Sequence, residues 1–186
     1  MPKIKKMKTK FTFVTLVALV LFSCKQESKK AETDTKKAEF SKIFKVTLDV
    51  KVNKDDTFHL FYTEDGSINF SEESSLWVEL KGNPENQQVV FNLHENTIPT
   101  QMRIDFGINK GQDDMIIKNY KMEYAGKTFN AAGPQFFNLF RPNELVALVE
   151  ASTGAIKPIK KEGQTYFGPS FYPKEELAKQ IEILVK

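Results

Sequence analysis

Residues 40–186 predict a mainly β, antiparallel fold of the sandwich or barrel kind. Three observations lead there. Apolar residues recur with a period of two, turn signals interrupt the chain at short intervals, and the apolar positions are rich in β-branched and aromatic side chains. Thirteen of the 16 phenylalanines fall in this region, which at 147 residues is an ordinary size for one domain with a sizeable core.

The elements follow in order. In "IFKVTLDVKVN" (43–53), Phe44, Val46, Leu48, Val50 and Val52 alternate with Lys45, Thr47, Asp49 and Lys51, as in a strand with one buried and one wet face. "TFHLFYT" (57–63) follows an Asn-Lys-Asp-Asp turn, and "EDGS" (64–67) supplies an Asp-Gly turn suited to positive φ. "SSLWVEL", "QQVVFNL", "TQMRIDFGI", "MIIKNYKMEY" and "NELVALVE" read as further strands, separated by "KGNPEN", "HENTIP", "NKGQDD" and "AAGPQ". The strand order is not legible at this level. "YPKEELAKQIEILVK" (172–186) changes period: Pro173 suits a first helical turn, Glu175 and Glu176 suit the positive end of a helix dipole, and Leu177, Ile181, Leu184 and Val185 share a face. A short C-terminal helix is expected there, with "IEILV" as a last strand the alternative.

The first 39 residues are of another kind. Lys3, Lys5, Lys6, Lys8 and Lys10 form a cationic stretch without acids, followed by the mostly apolar run "FTFVTLVALVLF" (11–22). That run is far short of the roughly 20 residues a spanning helix needs, so residues 1–23 read as a cleaved export signal. Residues 25–39, "KQESKKAETDTKKAE", hold no apolar side chain larger than alanine and cannot bury enough surface to offset chain entropy. They read as a disordered tether with a reach of roughly 20 Å.

Leu21-Phe22-Ser23-Cys24 resembles the lipobox of bacterial lipoproteins. The resemblance implies that Cys24 becomes the mature N-terminus, carries a thioether-linked diacylglycerol, commonly with a further acyl chain, and anchors the protein to a membrane. Two or three chains give stable anchoring where one does not. The implied location is the outer membrane of a cell envelope, with the periplasmic and surface leaflets both open. A free thiol in an uncleaved segment, or a signal without lipid, is the alternative.

Loss of residues 1–23 removes five lysines and no acids, leaving 22 basic residues against 24 acidic ones and moving the formal charge from +3 to −2. The electrostatic surplus that drives nucleic-acid binding is then missing, and that class is set aside. Cys24 is the only cysteine, so the domain has no disulfide and no thiol chemistry.

Two positions stand out in the domain. In "SSLWVEL", Leu76, Val78 and Leu80 make the apolar face, which turns Trp77 outward with Ser75 and Glu79. An outward indole suits stacking against the C–H faces of a sugar, and Tyr62 and Phe70, near the Asp-Gly turn, are candidates to extend it. A covered Trp77 that is simply core is the competing reading. In "TQMRIDFGI", Met102, Ile104 and Phe106 turn Arg103 and Asp105 to the opposite face together. They suit either a polar ligand site, with a guanidinium fork and a carboxylate reading hydroxyls, or a structural pair tying strand to loop, which is the commoner use.

The series "FYTEDGSINF", "SSLWVEL", "QQVVFNL", "TQMRIDFG" and "KNYKMEY", with "FFNLFRPNE" and "FGPSFYPKEEL" behind, resembles an accessory β-sandwich region of some bacterial envelope polysaccharide-synthesis membrane proteins. That region is in turn similar to galactose-binding-like jelly rolls and carbohydrate-binding modules. The resemblance implies a non-catalytic sandwich associated with glycans or envelope assembly.

Enzymatic signatures are weak. The acid pairs Glu64/Asp65, Glu72/Glu73 and Asp113/Asp114 sit beside turns, His59 and His94 lack metal-pair spacing, and no Gly-x-Ser-x-Gly, His-Glu-x-x-His or P-loop pattern occurs. No cofactor is expected. A structural Ca²⁺ around Asn53, Asp55 and Asp56, or around Asp113 and Asp114, is conceivable, but the spacing matches no defined calcium loop. The expected function is a membrane-anchored, non-catalytic envelope lipoprotein that binds glycan or supports envelope polysaccharide handling. The alternative is a scaffold lipoprotein docking an outer-membrane protein partner, and an unrecognised hydrolase comes third.

Overall fold

The computed structural model describes residues 41–163 and 165–186. The stretches read as an export signal and a tether, and Cys24 between them, lie outside the described residues. No helix among those described is long and apolar enough to cross a membrane.

The strands are β1 (Lys45–Val52), β2 (Asp56–Thr63), β3 (Ser75–Leu80), β4 (Asn83–Asn92), β5 (Gln101–Asp105), β6 (Met115–Tyr124), β7 (Lys127–Ala132), β8 (Phe140–Pro142), β9 (Ala147–Glu150), β10 (Ala155–Pro158) and β11 (Ser170–Pro173). Two helices accompany them, α1 (Gly133–Leu139) and α2 (Glu175–Val185). One sheet has the order β4-β1-β6-β10-β9, with β7 paired to β6, and the other has the order β3-β2-β5-β11-β8. Every pairing is antiparallel. Corresponding places in the two orders hold sequence neighbours, so the chain repeatedly crosses from one sheet to the other and closes a β-sandwich over a common core.

The alternation read in β1 holds, with Val46, Leu48, Val50 and Val52 fully buried. Thr47, expected on a wet face, is only 3% exposed, because β1 is flanked on both sides and places Thr47 between Val90 and Lys121. In β6 the parity changes midway. A register shift at Asp49/Val50 passes Lys118 over without a partner, so that Met115 and Ile117 on one side of it and Tyr120 and Met122 on the other all face the core.

Two expected turns are structured. "KGNPEN" contributes the start of β4, where Pro84 is tolerated because β4 is an edge strand and needs no donor on its open side. "AAGPQ" ends β7 and opens α1, with Pro134 in the first helical turn. That helix matters to the core. Phe136 lies between 4.7 and 5.9 Å, centroid to centroid, from the rings of Phe106, Tyr120, Phe137, Phe140 and Phe171, mostly edge to face. "NELVALVE" is shorter as a strand than its pattern suggests, because the Asn143 carbonyl accepts hydrogen bonds from the Val146 and Ala147 N–H groups and forms a turn first.

The C-terminal segment is a helix. Leu177, Ile181 and Leu184 are buried and complete the core from α2, while Pro173 ends β11 instead of opening the helix and Lys174 takes the N-cap position. The neighbours of α2 include α1, β6, β7 and β11.

Candidate functional site

The outer face of the five-stranded sheet carries the site. In β2 the inward set is Phe58, Leu60 and Tyr62, which leaves His59 and Phe61 on the outer face. Strand pairing then sets their neighbours. His59 lies in register with Trp77 on β3 and with Asp105 on β5, and Phe61 lies in register with Ser75 and Arg103. The loop 64–74 brings Phe70 and Glu72 over this face, and the segment before β11 brings Tyr166 and Phe167. Together they line a groove of about 460 Å³.

Trp77 is 49% exposed. Its indole stacks on the His59 imidazole, with ring centroids 3.6 Å apart and planes 20° from parallel. His59 in turn contacts the Phe61 ring at 3.7 Å. The imidazole is 2% exposed, and its Nε2 has no hydrogen-bond partner among the described residues, standing 3.5 Å from Glu72 Oε2. Burial pulls the His59 pKa down to about 4, with Glu72 acting in the opposite direction and Arg103 adding to the lowering. His59 is therefore neutral at pH 7, with one ring nitrogen to donate and one to accept.

Arg103 and Asp105 face each other as a bidentate pair, Nε to Oδ1 at 2.9 Å and Nη2 to Oδ2 at 2.6 Å. The guanidinium is also held between the Phe61 and Tyr172 rings, 4.8 and 5.0 Å from their centroids. Burial raises the Asp105 pKa, and the hydrogen bonds from Arg103 offset only part of that rise. The guanidinium fork is thus taken by the protein's own carboxylate, and the remaining N–H donors of Arg103 are what the groove can offer.

The rim is set by a carboxylate buried below it. Asp56 Oδ1 accepts hydrogen bonds from the backbone N–H groups of Thr57, Ile108 and Asn109, and its Oδ2 accepts one from Gln112 Nε2. These bonds fold the 107–112 loop back onto β2 and present Ile108, 53% exposed, at the groove edge. Gly107 makes the turn possible, since its φ is +87° and a Cβ there would lie 2.3 Å from the Asp56 carboxylate. Tyr166 beside it has its pKa pushed up to about 12 by burial and by the Asp56 charge.

Of the expected site residues, Trp77, Phe70, Arg103 and Asp105 share the groove. Tyr62 does not join them. It is 6% exposed and packs in the core with Phe58 and Leu60, because strand parity separates it from Phe61 by one residue. Three of the acids considered for Ca²⁺, Asp55, Asp56 and Asp113, are engaged by nitrogen donors. Asp55 accepts from Lys81 Nζ and the Gly82 N–H, Asp56 accepts the four bonds above, and Asp113 pairs with Lys54. Among the described residues no group of three or more His, Cys, Asp or Glu is placed to hold a metal ion.

No family model matches this chain, and neither does any curated protein or solved structure at a significant level.

Sequence alone singles out neither Phe167 nor Tyr172, and offers His59 and Glu72 only as members of a weak metal pair and a turn-side acid pair. His59 and Phe61 were within reach, being out of phase with Phe58, Leu60 and Tyr62, but both parities of "TFHLFYT" are apolar and leave the inner face ambiguous. Phe167 and Tyr172 arrive from more than 60 residues downstream of Arg103, through the pairing of β11 with β5.

A second cavity, about 360 Å³, lies near the start of the domain around Ser41, Lys45, Glu123 and Tyr124. Its carboxylate is already taken, with Glu123 Oε2 2.7 Å from Lys45 and 3.0 Å from Lys121. The sheet groove is the better ligand site, because it combines exposed aromatic surface with polar atoms not fully engaged.

Proposed function

We propose that this protein is a lipid-anchored, non-catalytic lipoprotein of the cell envelope whose sandwich domain binds glycan in the Trp77 groove. The observation that carries the reading is Trp77 itself. It is a half-exposed indole, backed by a buried neutral imidazole, in a groove that the exposed Phe167 ring also lines. Sugar rings present flat C–H faces to such surfaces, and their hydroxyls need donors and acceptors nearby. The Glu72 carboxylate and the spare N–H groups of Arg103 are those partners.

A binding role fits these groups better than hydrolysis. Glu72 and Asp105 are the carboxylates of the groove, and Asp105 has both oxygens committed to Arg103, which leaves no second free carboxylate for acid and base work.

The compact unit 38–186 contains the core formed by the described residues and is the fragment to use in the test. On a glycan array, wild-type protein is expected to retain a defined set of glycans and Trp77→Ala to lose them while still unfolding cooperatively on heating. Retention by Trp77→Ala equal to wild type would sink the reading. Capture of a protein partner with no glycan retained would replace it by a scaffold role.

A further inference from the structure

Across the five-stranded sheet, aromatic rings and guanidinium groups alternate. Phe61 on β2 lies under Arg103 of β5, Arg103 lies over Tyr172 of β11 at 5.0 Å, and Arg141 of β8 lies over the same Tyr172 ring at 5.5 Å. The two arginines differ in their partners. Arg103 is saturated on one edge by Asp105. Arg141 is exposed, and among the described residues no carboxylate lies within 4.0 Å of its guanidinium.

Seating on a ring occupies the face of a guanidinium and leaves its in-plane N–H groups pointing outward, in the fork geometry that matches a carboxylate. Arg141 lines a second groove with Asn143, Glu144, Leu145 and Tyr172, about 600 Å³ in volume. Phe70, which lines the Trp77 groove, is 6.4 Å from the rings of both Phe61 and Tyr172 and so links that groove to Tyr172, which lines the second. From β3 to β8 is four strand spacings, roughly 19 Å, which exceeds a single sugar ring and suits a saccharide chain running across the strands.

We infer that Arg141, seated on Tyr172, is a second subsite that takes the carboxylate of an acidic sugar, so that the ligand is a uronate-containing polysaccharide lying from Trp77 to Arg141. Glu144 in the same groove accepts from ring hydroxyls, which a uronate carries beside its carboxylate. This inference rests on the glycan-binding reading above, and adds the charge class and length of the ligand.

The test is titration calorimetry on the 38–186 unit with polygalacturonate, alginate and hyaluronan, each as the acid form and as its methyl ester. At least one acid form is expected to bind. Arg141→Gln should weaken it roughly tenfold to hundredfold, and Arg141→Lys by less, because the charge stays but the fork is lost. Methyl esters should bind more weakly and be indifferent to Arg141→Gln, while Trp77→Ala should weaken both forms. Arg141 is exposed, so its variants should keep the wild-type melting temperature. Binding of the acid form unaffected by Arg141→Gln or by esterification, but lost in Trp77→Ala, overturns the acidic subsite and leaves the glycan reading standing. Dextran sulfate bound as tightly as the best uronate means unspecific attraction of anions and also overturns the subsite. No heat from any of the polymers overturns the uronate assignment, and the glycan array then decides the broader reading separately.

Discussion

His59 and Trp77 face each other in register on adjacent antiparallel strands, their rings stacked 3.6 Å apart, so the exposed indole rests on an imidazole that is itself almost fully buried. The exposed surface and its buried support are therefore coupled. A change in the charge of His59 acts directly beneath the ring assigned to ligand contact.

That coupling sets a pH dependence. The unfolded chain takes up its histidine proton near 6.5, whereas the folded His59 does so only at about 4. Between those values the unfolded state holds more protons, so this group's contribution to stability is complete above pH 6.5 and is lost as pH falls towards 4. Asp105 acts in the opposite sense, since its raised pKa lets the folded state take up a proton first on acidification. Urea unfolding midpoints measured from pH 7 to pH 4 should fall, and His59→Phe should flatten that fall by removing the buried imidazole. A His59→Phe profile parallel to wild type would remove His59 as the cause. Fluorescence of Trp77, the only tryptophan in the chain, should report the same protonation in the folded protein.

Arg103 and Asp105 should behave as one unit. Asp105 is 8% exposed and draws both charge-assisted hydrogen bonds from Arg103, so Arg103→Ala leaves a buried carboxyl unpaired and is expected to cost about 3 kcal/mol. Replacing both partners together, as in Arg103→Met with Asp105→Leu, should recover most of that loss. Chemical denaturation of the two single variants and the double variant measures the coupling. Additive losses would show that the pair is not a unit.

Tyr120 offers a test in the opposite direction. Its ring is fully buried beside Phe136 and Phe140, and its hydroxyl has no hydrogen-bond partner among the described residues. Leaving such a group unsatisfied is unfavourable, so Tyr120→Phe should raise stability by about 1 kcal/mol. A clear loss of stability would mean that the hydroxyl has a partner in solution, such as a bound water.

The proposed anchor has its own test. Cys24→Ala should abolish incorporation of labelled fatty acid and leave unprocessed precursor, while the unit 38–186 keeps its fold and its ligand binding. Continued labelling of the alanine variant would show that Cys24 is not the attachment point.

Much of the sandwich could be read in advance, and the readable parts share a cause. β1 carries strong alternation and appears where the pattern places it, and α2 follows from the spacing of Leu177, Ile181 and Leu184. The errors come where local signals compete with tertiary ones. "AAGPQ" has the composition of a turn, yet α1 forms there because Phe136 and Phe137 gain a place in the aromatic core. Pro84 marks a break in isolation, but an edge strand accommodates it. The position of Tyr62 near the Asp-Gly turn suggests a place beside Trp77, and one residue of strand parity sends it to the core instead.

By itself the sequence determined the strand-rich class and the outward placement of Trp77, Arg103 and Asp105. Each of these depends on side chains a few residues apart, where periodicity and local chemistry suffice. Only the tertiary structure decided that Trp77 stays uncovered, that His59 supports it, that Arg103 is occupied by Asp105, and that Tyr172 links Arg103 to Arg141. Those relationships depend on which strands lie side by side. That order is set by how the whole core packs, and alternation within one strand carries no record of its neighbours.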